Sequence, residues 1–167
     1  MSALPPALVQ LADEIRIAAT GSGVMIAVAE SCTGGLIASC LTENPGGSIC
    51  FDRGFVTYSY ASKEDMLGVD HDLLHAEGAV SQAVAEAMAR GALERSAASI
   101  TVSVTGVAGP GQSESKPEGL VWFGVATRSG VKTVKREFGA IGRANVRLET
   151  VRFALELLRD ALRDDIV

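Results

Sequence analysis

Apolar residues along this chain switch between two periods. Leu8, Leu11 and Ile15 recur at helical spacing and predict an amphipathic first helix, broken around Gly21 and Gly23 in "TGSG". Residues 23–29, "GVMIAVA", are a short continuous apolar run that suits a buried strand, after which Leu36, Ile37, Cys40 and Leu41 return to helical spacing. A second strand is predicted in "RGFVTYSYA", up to about Tyr60, from its Tyr, Phe, Val and Thr. Ser62 then reads as the N-cap of a helix over "SKEDMLGV", with Glu64 and Asp65 in the first turn, where the helix dipole favours acids. Ser81 opens a further helix whose core face is Val84, Met88 and Ala92. Ile100, Val102 and Val104 alternate with Thr101, Ser103 and Thr105, the period of a strand. "GLVWFGVAT" and "KTVKREF" flank "RSG" as a hairpin, and Leu148, Val151, Leu155, Leu158 and Leu162 stripe the last helix.

Strands alternating with helices, plus one hairpin, predict an α/β fold: a three-layer α/β/α sandwich with a mixed, mostly parallel sheet. The 167 residues are the size of one domain, so 1–167 reads as a single unit without repeats. The one long loop is Gly106 to Glu118.

Charge narrows the partners. A net charge of −5 with scattered basic residues argues against nucleic acid, whose phosphates are gripped by concentrated Lys and Arg. No uncharged apolar stretch approaches the roughly 20 residues of a membrane span. The start, "MSALPPALVQLADEIR", lacks the charged n-region and apolar core of a signal peptide, so a soluble, cytoplasmic protein without a membrane partner is expected. Cys32, Cys40 and Cys50 form no C-x-x-C pair and read as reduced thiols. His71 and His75, at i and i+4 in "HDLLHAEG", could chelate a metal on a helix. Asp72 stands where H-E-x-x-H would need Glu, however, and the pair reads as a solvated helix face; no metal or cofactor is expected.

Two turns carry candidate chemistry. In "VAESCTGGLIA", Val28 to Ala38, a polar cluster falls between strand and helix, where free N–H groups can receive an anion or a developing oxyanion. The turn suits a nucleophile, and equally a plain helix cap, since Ser31 and Thr33 are both good N-cap residues. "GVAGPGQS", Gly106 to Ser113, matches a Walker A loop except that Gln112 replaces the lysine, and Pro117 and Gly119 forbid the helix a P-loop must open. Gly106, Gly109 and Gly111 still allow a ligand close to the backbone, or simply a tight turn. Lys63 sits near a helix start, where the dipole disfavours a cation.

Together "AESCTGGLIA", "GFVTYS" with Lys63 five residues after its tyrosine, "LGVD" leading to "GAVS", "VTGVAGPG" and "KPEGLVW" resemble the CinA C-terminal domain family in order and spacing, from about Ala29 to Arg147. One departure is "PGGS", Pro45 to Ser48, where relatives more often show Gly-Ser-Ser; Ser48 is kept. Larger relatives add an N-terminal molybdopterin-binding-like domain, and this chain is similar to the stand-alone form. The resemblance implies a three-layer sandwich. It also implies hydrolysis of nicotinamide mononucleotide to nicotinic acid mononucleotide and ammonia, in pyridine nucleotide salvage, by a serine and a lysine.

Attack on a carboxamide needs an activated nucleophile, a base and oxyanion donors. His71 and His75 belong to another segment than the candidate nucleophiles, so a serine-lysine dyad is the economical choice, with Lys63 lowered from ~10.4 towards roughly 7–8 by burial or a cationic neighbour. Ser31 is the first candidate nucleophile, with the amides of Cys32, Thr33 and Gly34 behind it, and Ser48 is its rival. Cys32 lacks an evident base or cation, and Tyr58 reads either as a proton relay or as strand packing. For the substrate, Arg143 near the last helix start would take the phosphate with help from Thr105, Gly106 and Gly109, while Glu30 would face the pyridinium or cap its strand. Arg147 divides evenly between a solvated and a functional role. The competing reading is a non-catalytic nucleotide-binding regulatory domain. A homo-oligomer is compatible with everything above.

Overall fold

Ile26–Glu30 (β1) is buried along its whole length, as a strand covered on both faces must be. The computed structural model describes residues 2–164. Around β1 the chain sets α1 (Pro6–Ser22), α2 (Leu36–Thr42), β2 (Phe51–Val56), α3 (Tyr60–Leu67), α4 (His71–Glu77), α5 (Gln82–Glu94), β3 (Ile100–Gly106), β4 (Leu120–Thr127), β5 (Gly130–Glu137) and α6 (Arg143–Asp164). The strand order is β2-β1-β3-β4-β5. β1 runs parallel to both β2 and β3, and the β3–β4 and β4–β5 pairs are antiparallel, so β4 alone is reversed. No helix among the described residues is long and apolar enough to cross a membrane.

The two faces of the sheet are covered differently. On one, α1, α2 and α6 bury Ile15, Ile37, Leu155 and Leu158 against Val28, Val102, Val104 and Phe123. The other carries the polar half of the β3 alternation, yet Thr101, Ser103 and Thr105 are fully buried there. Their hydroxyls donate to the carbonyls of Ala89 (2.7 Å), Ala85 (2.6 Å) and Ala79 (2.7 Å), on α5 and the segment leading into it. Polar strand residues thus serve as a hydrogen-bonded seat for a helix rather than a solvated face. Gly124 on β4 lets α5 come this close, since a Cβ there would meet the Ala85 carbonyl at 2.6 Å.

Several boundaries differ from the periodicity. β2 stops at Val56, and Ser59, not Ser62, caps α3. Ser62 is the reciprocal partner, its Oγ accepting from the Ser59 N–H at 3.1 Å while its own N–H donates to Ser59 Oγ. This capping box starts the helix three residues earlier, which removes Tyr58 from the strand and places Tyr60 in the first turn. Ser81 caps α5 as expected. The loop after β3 opens no helix, in keeping with the exclusion of a P-loop.

Candidate active site

Because β1, β2 and β3 are parallel, the segments that follow them meet at one sheet edge, the place where open α/β sheets hold ligands. There they enclose a cleft of about 240 Å³ lined by Ser31, Tyr58, Tyr60, Lys63, Gly109, Glu114 and Arg143. Lys63 is only 1% exposed. Its Nζ lies 3.0 Å from Ser31 Oγ and donates to the Thr57 carbonyl at 2.6 Å. Burial pulls the ammonium down from 10.5 to about 8, and the Cys32 thiol and the Glu114 carboxylate offset only part of its desolvation. A lysine in that range supplies a neutral amine that can take the Ser31 proton. Ser31 is itself fixed, its N–H extending the β1–β3 ladder to the Val104 carbonyl at 3.1 Å.

Neither Ser31 nor Thr33 caps α2. Its N-cap is Gly35, at φ 99°, and the capping oxygens come from Glu30, which is fully buried. Glu30 Oε2 accepts from the N–H groups of Gly35 (3.0 Å) and Ile37 (3.1 Å) and from Thr33 Oγ1 (2.6 Å), and Oε1 accepts from the Ala38 N–H (2.8 Å). Of the two readings of Glu30, facing a pyridinium or capping its strand, the first is corrected and the second becomes a cap on the start of α2. Both its oxygens are spent on the free amides at the start of a helix, where the dipole favours an anion. Thr33 is likewise internal, and Gly34 donates its N–H to the Ser31 carbonyl at 3.1 Å, which removes it as an oxyanion donor. The Cys32 N–H makes no backbone–backbone hydrogen bond among the described residues. Arg147 clamps the turn from α6, donating to the carbonyls of Cys32 (3.2 Å) and Thr33 (2.8 Å). The Cys32 thiol is buried and pushed up to about 12, so it is not a nucleophile at neutral pH.

The model of the CinA C-terminal domain matches residues 8–162. Over 159 residues the chain is 47% identical to a nicotinamide-nucleotide amidohydrolase PncC of Enterobacter agglomerans, covering 94% of each. It is 45% identical to a putative competence-damage inducible protein of Caldicellulosiruptor bescii, of which it spans 38%. The crystal structure of the competence/damage inducible protein CihA from Agrobacterium tumefaciens superimposes with a TM-score of 0.93 at 50% identity, over 98% of this chain and 99% of that one. The chain belongs to the CinA C-terminal domain family.

In this CinA C-terminal domain the rival serine is not at the cleft. Ser48 lies in the 3₁₀ turn Gly47–Ile49 ahead of β2, beside Thr42, Glu43 and Phe51. Phe51 pairs with Ile26 at the start of β1, so Ser48 stands at the opposite sheet edge from Ser31, about 20 Å away along a six-residue strand. Tyr58 is at the cleft but not in the expected role. It is 60% exposed and its hydroxyl accepts from Arg143 at 2.7 Å, with no bond to Ser31 or Lys63; the carbonyl of Thr57 meets the lysine instead. Arg143 also donates to the Gly109 carbonyl at 2.9 Å, tying the first turn of α6 to the loop. The Thr105 hydroxyl proton is committed to Ala79, and Gly106 is packed too tightly against Val121 for a side chain. Gly109, at φ 88°, has Glu118 where a Cβ would be.

Two acidic residues near the CinA C-terminal domain site were given no role by the sequence patterns. Glu118 staples the loop, accepting from the N–H groups of Gly111 (2.7 Å) and Gly142 (3.2 Å). Glu114, at φ 51°, hangs a carboxylate into the cleft and accepts from the Tyr60 hydroxyl. Its partner is 54 positions away, and a single acid in an irregular loop carries no periodicity to find it by.

Proposed function

We propose that this CinA C-terminal domain is an amidohydrolase that converts nicotinamide mononucleotide to nicotinic acid mononucleotide and ammonia in pyridine nucleotide salvage, with Ser31 as nucleophile and Lys63 as base. The observation that carries the reading is the 3.0 Å contact between Ser31 Oγ and a buried Lys63 Nζ, and the PncC name of a relative 47% identical supports the substrate. With its value near 8, Lys63 is neutral in about one tenth of molecules at pH 7.

The neutral amine takes the Ser31 proton as Oγ attacks the carboxamide carbon, and the Cys32 N–H, which makes no backbone bond among the described residues, serves as a donor to the forming oxyanion. When the C–N bond breaks, the Lys63 ammonium returns that proton to the departing ammonia. Water then attacks the acyl-serine with Lys63 again as base, which frees the carboxylic acid and regenerates Ser31. Glu114, rather than Glu30, is the anion that faces the cationic ring. Arg143 retains N–H groups for the phosphate beyond those that bind Tyr58 and Gly109, and it stands at the start of α6. No cofactor enters the scheme.

Ammonia release from nicotinamide mononucleotide by the purified protein tests the reading. Saturable binding of the nucleotide with no ammonia formed would replace it with the non-catalytic regulatory domain.

A further inference from the structure

The outer face of the α3–α4 corner brings together three side chains that the proposed chemistry does not use. His71 and His75 stand one helical turn apart on α4, their ring centroids 4.3 Å apart, and Glu64 reaches them from α3. His71 Nδ1 lies 3.0 Å from Glu64 Oε1, and one ligand atom from each of the three falls within 4.8 Å of the others. We propose that Glu64, His71 and His75 form a surface site for a divalent transition-metal ion, with Zn²⁺ the best fit to its donors.

The separations match the ion. With metal–ligand bonds of about 2.1 Å, the ligand atoms of a tetrahedral zinc site are about 3.4 Å apart. The Glu64–His71 pair is already near that spacing, and the looser ligand is an exposed side chain free to change rotamer. Two imidazoles and one carboxylate suit Zn²⁺, Ni²⁺ or Cu²⁺ and not Mg²⁺ or Ca²⁺, which demand oxygen. Water fills the fourth position.

The corner is also held in place without a metal. Gly68, at φ 65°, ends α3 by donating to the Glu64 carbonyl at 2.8 Å, the Val69 N–H donates to the Lys63 carbonyl at 3.1 Å, and Asp70 caps α4 through the Leu73 N–H at 2.9 Å. Leu67, Val69 and Leu74 are buried beneath. Ligands on two rigid helices lose little freedom when the ion binds. None of the three lines the cleft, but the His75 ring lies 5.4 Å from that of Tyr60, whose hydroxyl reaches Glu114. An ion here would brace the helix that carries Lys63 from behind.

The test is a titration of the chelator-treated full chain with Zn²⁺ alone at neutral pH, read by indicator competition and by thermal melting. One Zn²⁺ per chain should bind and raise Tm, since a ligand of the folded state alone stabilises it. His75→Ala should weaken binding at least about tenfold and abolish the rise in Tm. Glu64→Gln keeps a hydrogen-bond acceptor for His71 but removes the anionic ligand; it should leave the metal-free Tm unchanged and weaken Zn²⁺ by a similar factor. Absence of saturable binding would overturn the proposal. So would binding that survives both substitutions, because the ion would then sit elsewhere.

Discussion

The two edges of the sheet each carry a glycine-rich turn with a serine, and only one sets its serine beside a lysine. At the carboxyl edge, Ser31 meets a buried lysine, a cleft and a turn whose amides are neutralised by Glu30. At the amino edge, Ser48 is exposed in a short 3₁₀ turn, with no charged group bonded to it among the described residues. Both turns look alike in one dimension. The difference is the direction of β1 and β2, which are parallel and therefore carry whatever follows them to one edge and whatever precedes them to the other. Function gathers where several chain segments converge.

The sharpest test of that contrast is kinetic. Ser31→Ala and Lys63→Met should each lower kcat by about 10²-fold or more, as nucleophilic and general-base catalysis disappear, while Ser48→Ala should stay near the parent. The Ser31→Ala/Lys63→Met double variant should be little worse than either single one, because residues that act as one unit are not additive. A trapped acyl-enzyme mapped to Cys32 would refute the serine, and full activity in Lys63→Met would remove the dyad.

The capping acid at the same edge gives a stability test. Glu30→Ala would leave three helix amides and the Thr33 hydroxyl without their anion, and denaturant unfolding should register a loss of about 3 kcal/mol or more. An unchanged midpoint would mean that water replaces the carboxylate and that the turn is less closed than it looks.

Lys63 links activity and stability through pH. Its folded value is near 8 against 10.5 in the unfolded chain, so between these values the unfolded state binds more protons and stability rises with pH. The burial cost is present in full below about pH 8 and is relieved by about pH 10.5. Its size is on the order of 3 kcal/mol for a shift from 10.5 to about 8. Lys63→Met should therefore melt higher than the parent at neutral pH, with the advantage fading in alkali. Parent kcat/KM should rise about tenfold per pH unit below 8 and then level. A flat profile across that range would exclude Lys63 as the base.

Arg143→Ala should raise KM for nicotinamide mononucleotide by about tenfold with a smaller change for nicotinamide riboside, which lacks the phosphate. Equal damage to both would assign Arg143 to bracing Gly109 and Tyr58 alone. The smallest effect should come from chelation: EDTA should leave turnover intact, because the metal corner on α3 and α4 lies outside the cleft. Activity restored by zinc after such treatment would place a metal in the reaction.

Periodicity and composition by themselves determined the elements, the α/β layering and the mixed sheet, because helix and strand differ in the spacing of apolar residues over a few positions. They also marked Ser31, Lys63 and Arg143, which sit beside local signals: a strand-to-helix turn, a misplaced cation and a helix start. Tertiary structure alone brought Ser31, and not Ser48, to Lys63, since which serine reaches the lysine depends on strand direction and pairing. It moved Glu30 from the cleft to a helix cap and brought Glu114 in from an irregular loop. It also set Glu64 beside two histidines that had looked merely solvated. Each of these contacts joins positions on different elements, and their distances follow from how the layers pack rather than from any pattern within one segment.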